Sequence, residues 1–292
     1  EALMSPENVY AFLEKYDAKT TASNLMAASR LIKNPSEAVE KLWQQGESGV
    51  LKGLLEETIE RFAEAVKNPK ELAKAQEELA ETAEHVMDNM IVEDKNAGSI
   101  DIKQMKLLCS QFRIASDMAK QENYIVPVET ADGVTGVNLR IVRGEDKKGM
   151  VDIFFQGRLS GKVAASFEAK VNGVSGVIAV SDEQTRSLLA DNIGLLANSI
   201  NENGDEPVDI RVAYVPDISA EQFVTEYAVS SGIGKNDIVN NTVNDKAITA
   251  NNNLENISME QSGTDTVQTT RLYHIAEQLI VNVSDLLGRD SL

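Results

Sequence analysis

The spacing of apolar residues changes once along the chain, near Tyr124, and that change limits the folds open to it. Upstream, apolar side chains recur every three or four residues, the period of an amphipathic helix. Leu51, Leu54, Leu55, Ile59, Phe62 and Val66 form one such stripe, and Met105, Leu108, Phe112, Ala115 and Ala119 another. Downstream they alternate, as in strands with one buried face. Val137, Leu139 and Ile141 are followed by Val151, Ile153 and Phe155, then by Val163, Ala165, Phe167, Ala169 and Val171. Helices first and strands afterwards predict an α+β protein.

Six helices are expected over residues 1–122, as a bundle or array. Ser5 is the expected N-cap of the first, with Pro6 at its first position. Asn34-Pro35 and Asn68-Pro69 separate later helices, Gly46 closes the third, and Asp101 is the expected cap of the sixth. The stretches KNPSEAVEKL from Lys33 and KNPKELAKAQ from Lys67 look alike, which leaves a repeat of helix pairs open as a second arrangement.

Residues 123–231 read as an α+β domain, a mainly antiparallel sheet covered by one helix. The links GEDKKG, QGRLSG and NG are too short for anything but antiparallel neighbours. GVSGVIAVS is apolar almost throughout, as a strand buried on both faces is. The covering helix is expected from Asp182 to Asn201, with Ser181 as N-cap and Leu188, Leu189, Ile193, Leu196 and Ile200 facing the sheet. A last strand, VDIRVAYV, follows. Residues 232–264, rich in Asn, Asp, Ser and Thr, read as a linker. Residues 265–292 read as a C-terminal amphipathic helix. Its stripe of Leu272, Ile275, Ala276, Leu279, Val283, Leu286 and Leu287 needs a partner surface, either this chain's own or another protein's.

The net charge of −18 argues against a nucleic-acid partner and against anionic membranes, and favours basic protein partners. No apolar run is long enough to predict membrane insertion. No secretory leader is legible at Glu1, and the single cysteine fits a reducing compartment; a cytoplasmic location is the expectation. No catalytic, cofactor or metal constellation is legible either. Cys109 lies in a helical pattern as a small buried residue, and His85 and His274 stand on different helices without metal-ligand spacing. GIGKND, from Gly232, fails the phosphate-loop pattern at Val229 and Asn236. The calcium-like SINENGDEPVDI fails at Ser199 and Ile210 and reads as a helix end and turn. The pairs Glu56-Glu57 and Glu77-Glu78 read as solvated helix faces. Arg140 and Arg143, with Arg158 and Lys162 at the next turns, concentrate the basic charge of the strand region, either as a docking patch or as the polar side of a sheet.

Over residues 135–215 the chain resembles the C-terminal domain of flagellar hook-length control proteins. RLSGKV stands for that family's Leu-Gly-x-Val entry, with Ser160 as an extra residue between Leu159 and Gly161. ASFEAKVNGVSGVIAVS stands for its hairpin. EQTRSLLADNIGLLANSI stands for its helix, with Leu188, Leu189, Asn192, Leu195 and Leu196, and VDIRVAYV for the strand after it. Two features depart from the family. The hairpin VNLRIVRGEDKKGMVDIFFQG is additional, and helices replace the family's disordered, Gln- and Pro-rich amino-terminal half. The resemblance implies a non-enzymatic module that switches export substrates at a flagellar export-gate component, with a type III route as its means of export. The expected contact residues are Arg186, Asp191 and Asn192 on the helix, with Arg140 and Arg158 on the neighbouring strands. A scaffold protein with no flagellar role is the alternative expectation.

Overall fold

The computed structural model describes residues 5–46, 50–93, 102–130, 133–144, 148–157, 160–201, 207–220 and 264–288. Six helices come first: α1 (Pro6–Lys15), α2 (Ala22–Lys33), α3 (Ser36–Gly46), α4 (Val50–Ala65), α5 (Pro69–Glu93) and α6 (Ile102–Ala119). Strands β1 (Asn123–Thr130), β2 (Gly133–Arg143), β3 (Gly149–Gly157), β4 (Gly161–Lys170) and β5 (Gly173–Val180) follow. Then come α7 (Glu183–Ile200), β6 (Val208–Tyr214) and α8 (Thr264–Gly288). The protein is α+β.

The sheet runs in sequence order from β1 to β6. Its first five strands form an antiparallel meander, and β6 lies parallel to β5 because α7 carries the chain back before it re-enters. Alternation then sorts residues onto two faces. One face is apolar, with Tyr124, Val126, Leu139, Ile141, Val151, Ile153, Phe155, Val163, Phe167, Ile178 and Val180 all buried. Helix α7 covers it over β5 and β6, and α8 covers it over β1 to β4. The last helix thus docks on the chain's own sheet, burying Leu272, Tyr273, Ile275, Ala276 and Leu279. On this face Gly176 leaves the space that the Phe167 ring fills. A Cβ at that position would overlap the ring, its Cγ lying only 2.7 Å away.

The opposite face is covered over β1 to β3 by the N-terminal helices. Helix α3 approaches β2 at Gly136, where an added Cβ would meet Val39 and the Ser36 backbone at 3.0–3.1 Å. The fully buried Ser36 hydroxyl donates to the Gly136 carbonyl at 2.6 Å and accepts the Gln156 N–H at 3.2 Å, tying the start of α3 to both strands. The edge strand β1 is closed off by α4, α5 and α6. Gln76 of α5, buried, accepts the outward Ile125 N–H at 2.8 Å. Pro127 lies two residues on, with its missing donor on that same outward side, so it costs the β1–β2 ladder nothing. Apart from Phe154, Ala164 and Ala179, the buried apolar residues of α1–α6, the sheet, α7 and α8 form one continuous cluster.

Over β4 to β6 the second face carries exposed Glu168, Lys170, Asp209 and Arg211. Beside them the chain after β6 folds back, burying Ile218 and Ala220 against Phe154, Ala164 and Ala179.

Local details differ from expectation. Asp182, not Ser181, caps α7, its carboxylate accepting the Thr185 N–H at 2.8 Å, while Ser181 Oγ accepts the Lys162 N–H across the sheet at 2.7 Å. Ser5 precedes α1 without a side-chain cap bond, and Pro6 occupies the first turn as expected. The two KNP stretches open helices in different settings, α3 against β2 and α5 against α4 and α6. Asp101 and residues 232–263 of the expected linker lie outside the described residues.

Candidate functional site

Arg140 is not part of a docking patch. Alternation puts it on the polar face of β2, but the N-terminal helices cover that face there, and Arg140 is only 6% exposed. It stands opposite Asp152 in the β2–β3 register, and Nε and Nη2 both reach Asp152 Oδ2, at 3.0 and 2.5 Å. Buried polar groups adjoin it. Asn123 donates to the Tyr16 hydroxyl at 2.9 Å, and Asn138 donates to Asn123 Oδ1 at 2.8 Å. Burial, and then the Arg140 guanidinium, push the Lys15 ammonium down to about 8. Burial likewise pushes the Tyr16 phenol up.

Arg143, three residues along the strand, points to the other face. It forks onto Glu122 at 2.8 and 2.5 Å and donates to Thr269 of α8 at 2.9 Å. Tyr273 of α8 donates to Glu122 at 2.9 Å and lies 2.9 Å from the Tyr124 hydroxyl. Burial pushes Tyr124 up to about 12 and raises Tyr273 as well. Glu122 holds this position with φ of 56°, a strained value for a residue with a side chain. Lys162 donates to the Ile218 carbonyl at 2.9 Å, and Arg158 lies outside the described residues. The basic residues of the strand region are therefore dispersed over three settings.

On α7 the three expected contact residues do not share a face. The buried stripe is Thr185, Leu189, Leu196 and Ile200, with Leu188 and Ile193 half-buried. At 100° per residue, Arg186 and Asn192 fall on opposite borders of that stripe, and Asp191 falls on the far side. Arg186 pairs with Glu183 at 2.7 Å, and Asn192 donates back to the Leu188 carbonyl at 2.8 Å. Asp191 is exposed among Gln184, Ser187, Leu195 and Asn198, and Leu195 is 57% exposed. The expected sheet-facing stripe holds Leu196 and not Leu195, but the sequence pattern alone does not single out Leu195 as a contact residue.

Cys109 is buried, with its thiol pushed up to about 11, chiefly by burial. His85 is exposed, and His274 lies 3.2 Å from the Ser199 carbonyl. Glu56, Glu57 and Glu77 are exposed, and Glu78 pairs with Arg61 and Lys74. Among the described residues no cluster of three His, Cys, Asp or Glu side chains could hold a metal ion, and no helix is long and apolar enough to cross a membrane. The stretch GIGKND and Gly204 lie outside the described residues. No protein-family model matches the chain, and no curated protein or solved structure does.

Proposed function

We propose that the chain is a non-enzymatic protein-interaction module whose partner docks on the outer face of α7. In this reading it acts as flagellar hook-length control domains do, switching substrate class at an export-gate component. One observation carries it: Leu195 stands in water beside Asp191 on the helix that the resemblance covers. A lone exposed leucine is ordinary on a protein surface. Here it sits on a short unit whose order of strand, strand, helix and strand (β4, β5, α7, β6) is that of the hook-length domain. Further support comes from the groups with displaced titrations. Lys15, Tyr16, Cys109, Tyr124 and Tyr273 owe their shifts chiefly to burial in packing contacts, and Arg113, Lys120 and Asp182 owe theirs chiefly to hydrogen bonds with Glu84, Asp117 and the Thr185 backbone.

A scaffold with no flagellar link is the second reading, favoured by α1–α6, which stand where hook-length proteins carry a disordered half. Calorimetric titration with the cytoplasmic domain of an export-gate component from a flagellated bacterium separates the two. The export reading expects saturable binding, lost in Leu195→Asp with an unchanged melting curve. Absence of binding by the unaltered chain discards it.

A further inference from the structure

The two edges of the sheet are treated differently. β1 is closed by helices and by the Gln76 side chain, whereas among the described residues no strand pairs with the outer side of β6. Pairing parity identifies the groups β6 offers there. Pro207 O accepts the Val174 N–H at 3.0 Å, and Val215 N–H donates to Val180 O at 2.8 Å. Odd-numbered residues of this stretch therefore face β5, and the N–H and C=O groups of Val208, Ile210 and Val212 face outward. Pro207 and Pro216 bracket the strand, and neither proline nor lysine interrupts it.

We propose that this edge pairs antiparallel with β6 of a second copy of the chain, about a two-fold axis through Ile210. The inference stands apart from the export reading. In this register Ile210 faces its own counterpart as a hydrogen-bonded pair, and Val208 faces Val212 of the second copy, giving about six main-chain hydrogen bonds. On the apolar face, Val208, Ile210 and Val212 are each half-buried and meet across the axis. On the other face Asp209 meets Arg211 of the second copy, twice by symmetry. These two side chains are 66% and 70% exposed and reach only 3.6 Å from each other within one copy.

Charge selects this register. An axis through Asp209 or Arg211 would set like charges opposite each other, and an axis through Val212 would leave Arg211 against Ala213 and Asp209 unmatched. The chain carries a net charge of −18, which opposes self-association, so a charge-balanced edge is where two copies can meet. Tyr214, at the end of this strand, and Leu195, on the helix above it, are both large and exposed.

The test is the mass of the full chain in solution by light scattering across a dilution series. The unaltered chain is expected to approach twice 31.8 kDa at high concentration. Arg211→Asp alone and Asp209→Arg alone should each weaken the dimer on the order of tenfold or more, because each sets like charges face to face. An equimolar mixture of these two variants should restore it, since each then meets its opposite. Ile210→Pro removes an outward donor and no β5 ladder bond, so it should abolish the dimer while leaving the circular dichroism melt in place. A monomer at every concentration overturns the proposal. So does a dimer indifferent to all three substitutions, or a mixture that stays as weak as its components.

Discussion

Asp152 is the counter-charge that lets Arg140 remain inside the protein. Removing one member of such a buried pair leaves the other uncompensated, at a cost of about 3–5 kcal/mol. Asp152→Asn is therefore expected to lower stability by roughly that amount in urea unfolding, and Arg140→Met combined with Asp152→Leu to recover most of it. A loss below about 1 kcal/mol for Asp152→Asn would mean that water reaches the pair. Lys15 makes an opposite case. Its folded-state value of about 8 lies below the ordinary 10.5, so the unfolded chain binds that proton more tightly. The cost of holding the ammonium is fully present below pH 8 and is relieved as pH rises toward 10.5. Lys15→Met should then stabilise the protein at neutral pH by about 1 kcal/mol, discounting for partial exposure, and the advantage should vanish at still more alkaline pH. An equal gain at both pH values would contradict this. Alternation placed Arg140 on the polar face correctly. What it could not convey is that helices more than a hundred residues upstream in places, such as α1 with Tyr16, cover that face, because docking of that kind leaves no local periodicity.

Among the elements, α8 is held by specific polar ties as well as by its apolar stripe. Tyr273 bridges Glu122 and Tyr124, Gln268 donates to the Gly144 carbonyl, and Arg271 donates to the carbonyls of Lys170 and Gly173. Tyr273→Phe deletes the bridge while keeping the ring, so about 1–2 kcal/mol of stability should be lost. Amide exchange should rise first in α8 and only later in β2 and β3. A uniform rise across the sheet would show instead that α8 and the sheet open as one unit. The stripe of α8 was legible, but its partner surface was not, since an amphipathic face fits any apolar surface of matching size. The same limit hid the direction of β6, because alternation looks alike in parallel and antiparallel strands. The connection through α7 decides it. The cap of α7 shifted by one residue because Ser181 has a competing partner, the Lys162 N–H on β4.

In the whole molecule, one apolar cluster runs from α1 through the sheet to α8, and among the described residues it is the last helix that completes the face of β1–β4. Ending the chain before Thr264 should therefore expose Tyr124, Ile153 and Phe155 together, giving strong binding of a hydrophobic dye and a lower melting temperature. A truncated chain with an unchanged melt and no dye binding would contradict that role for α8. The helical side of the molecule closes the β1 edge, whereas among the described residues no strand pairs with the outer side of β6 and Leu195 of α7 is exposed, so the proposed contacts fall at the α7–β6 end. Hydrogen exchange of the full chain with and without a bound export-gate domain tests this most directly. Protection concentrated in α7, around Asp191 and Leu195, is the result expected. Protection confined to α1–α6, with α7 unchanged, would contradict it.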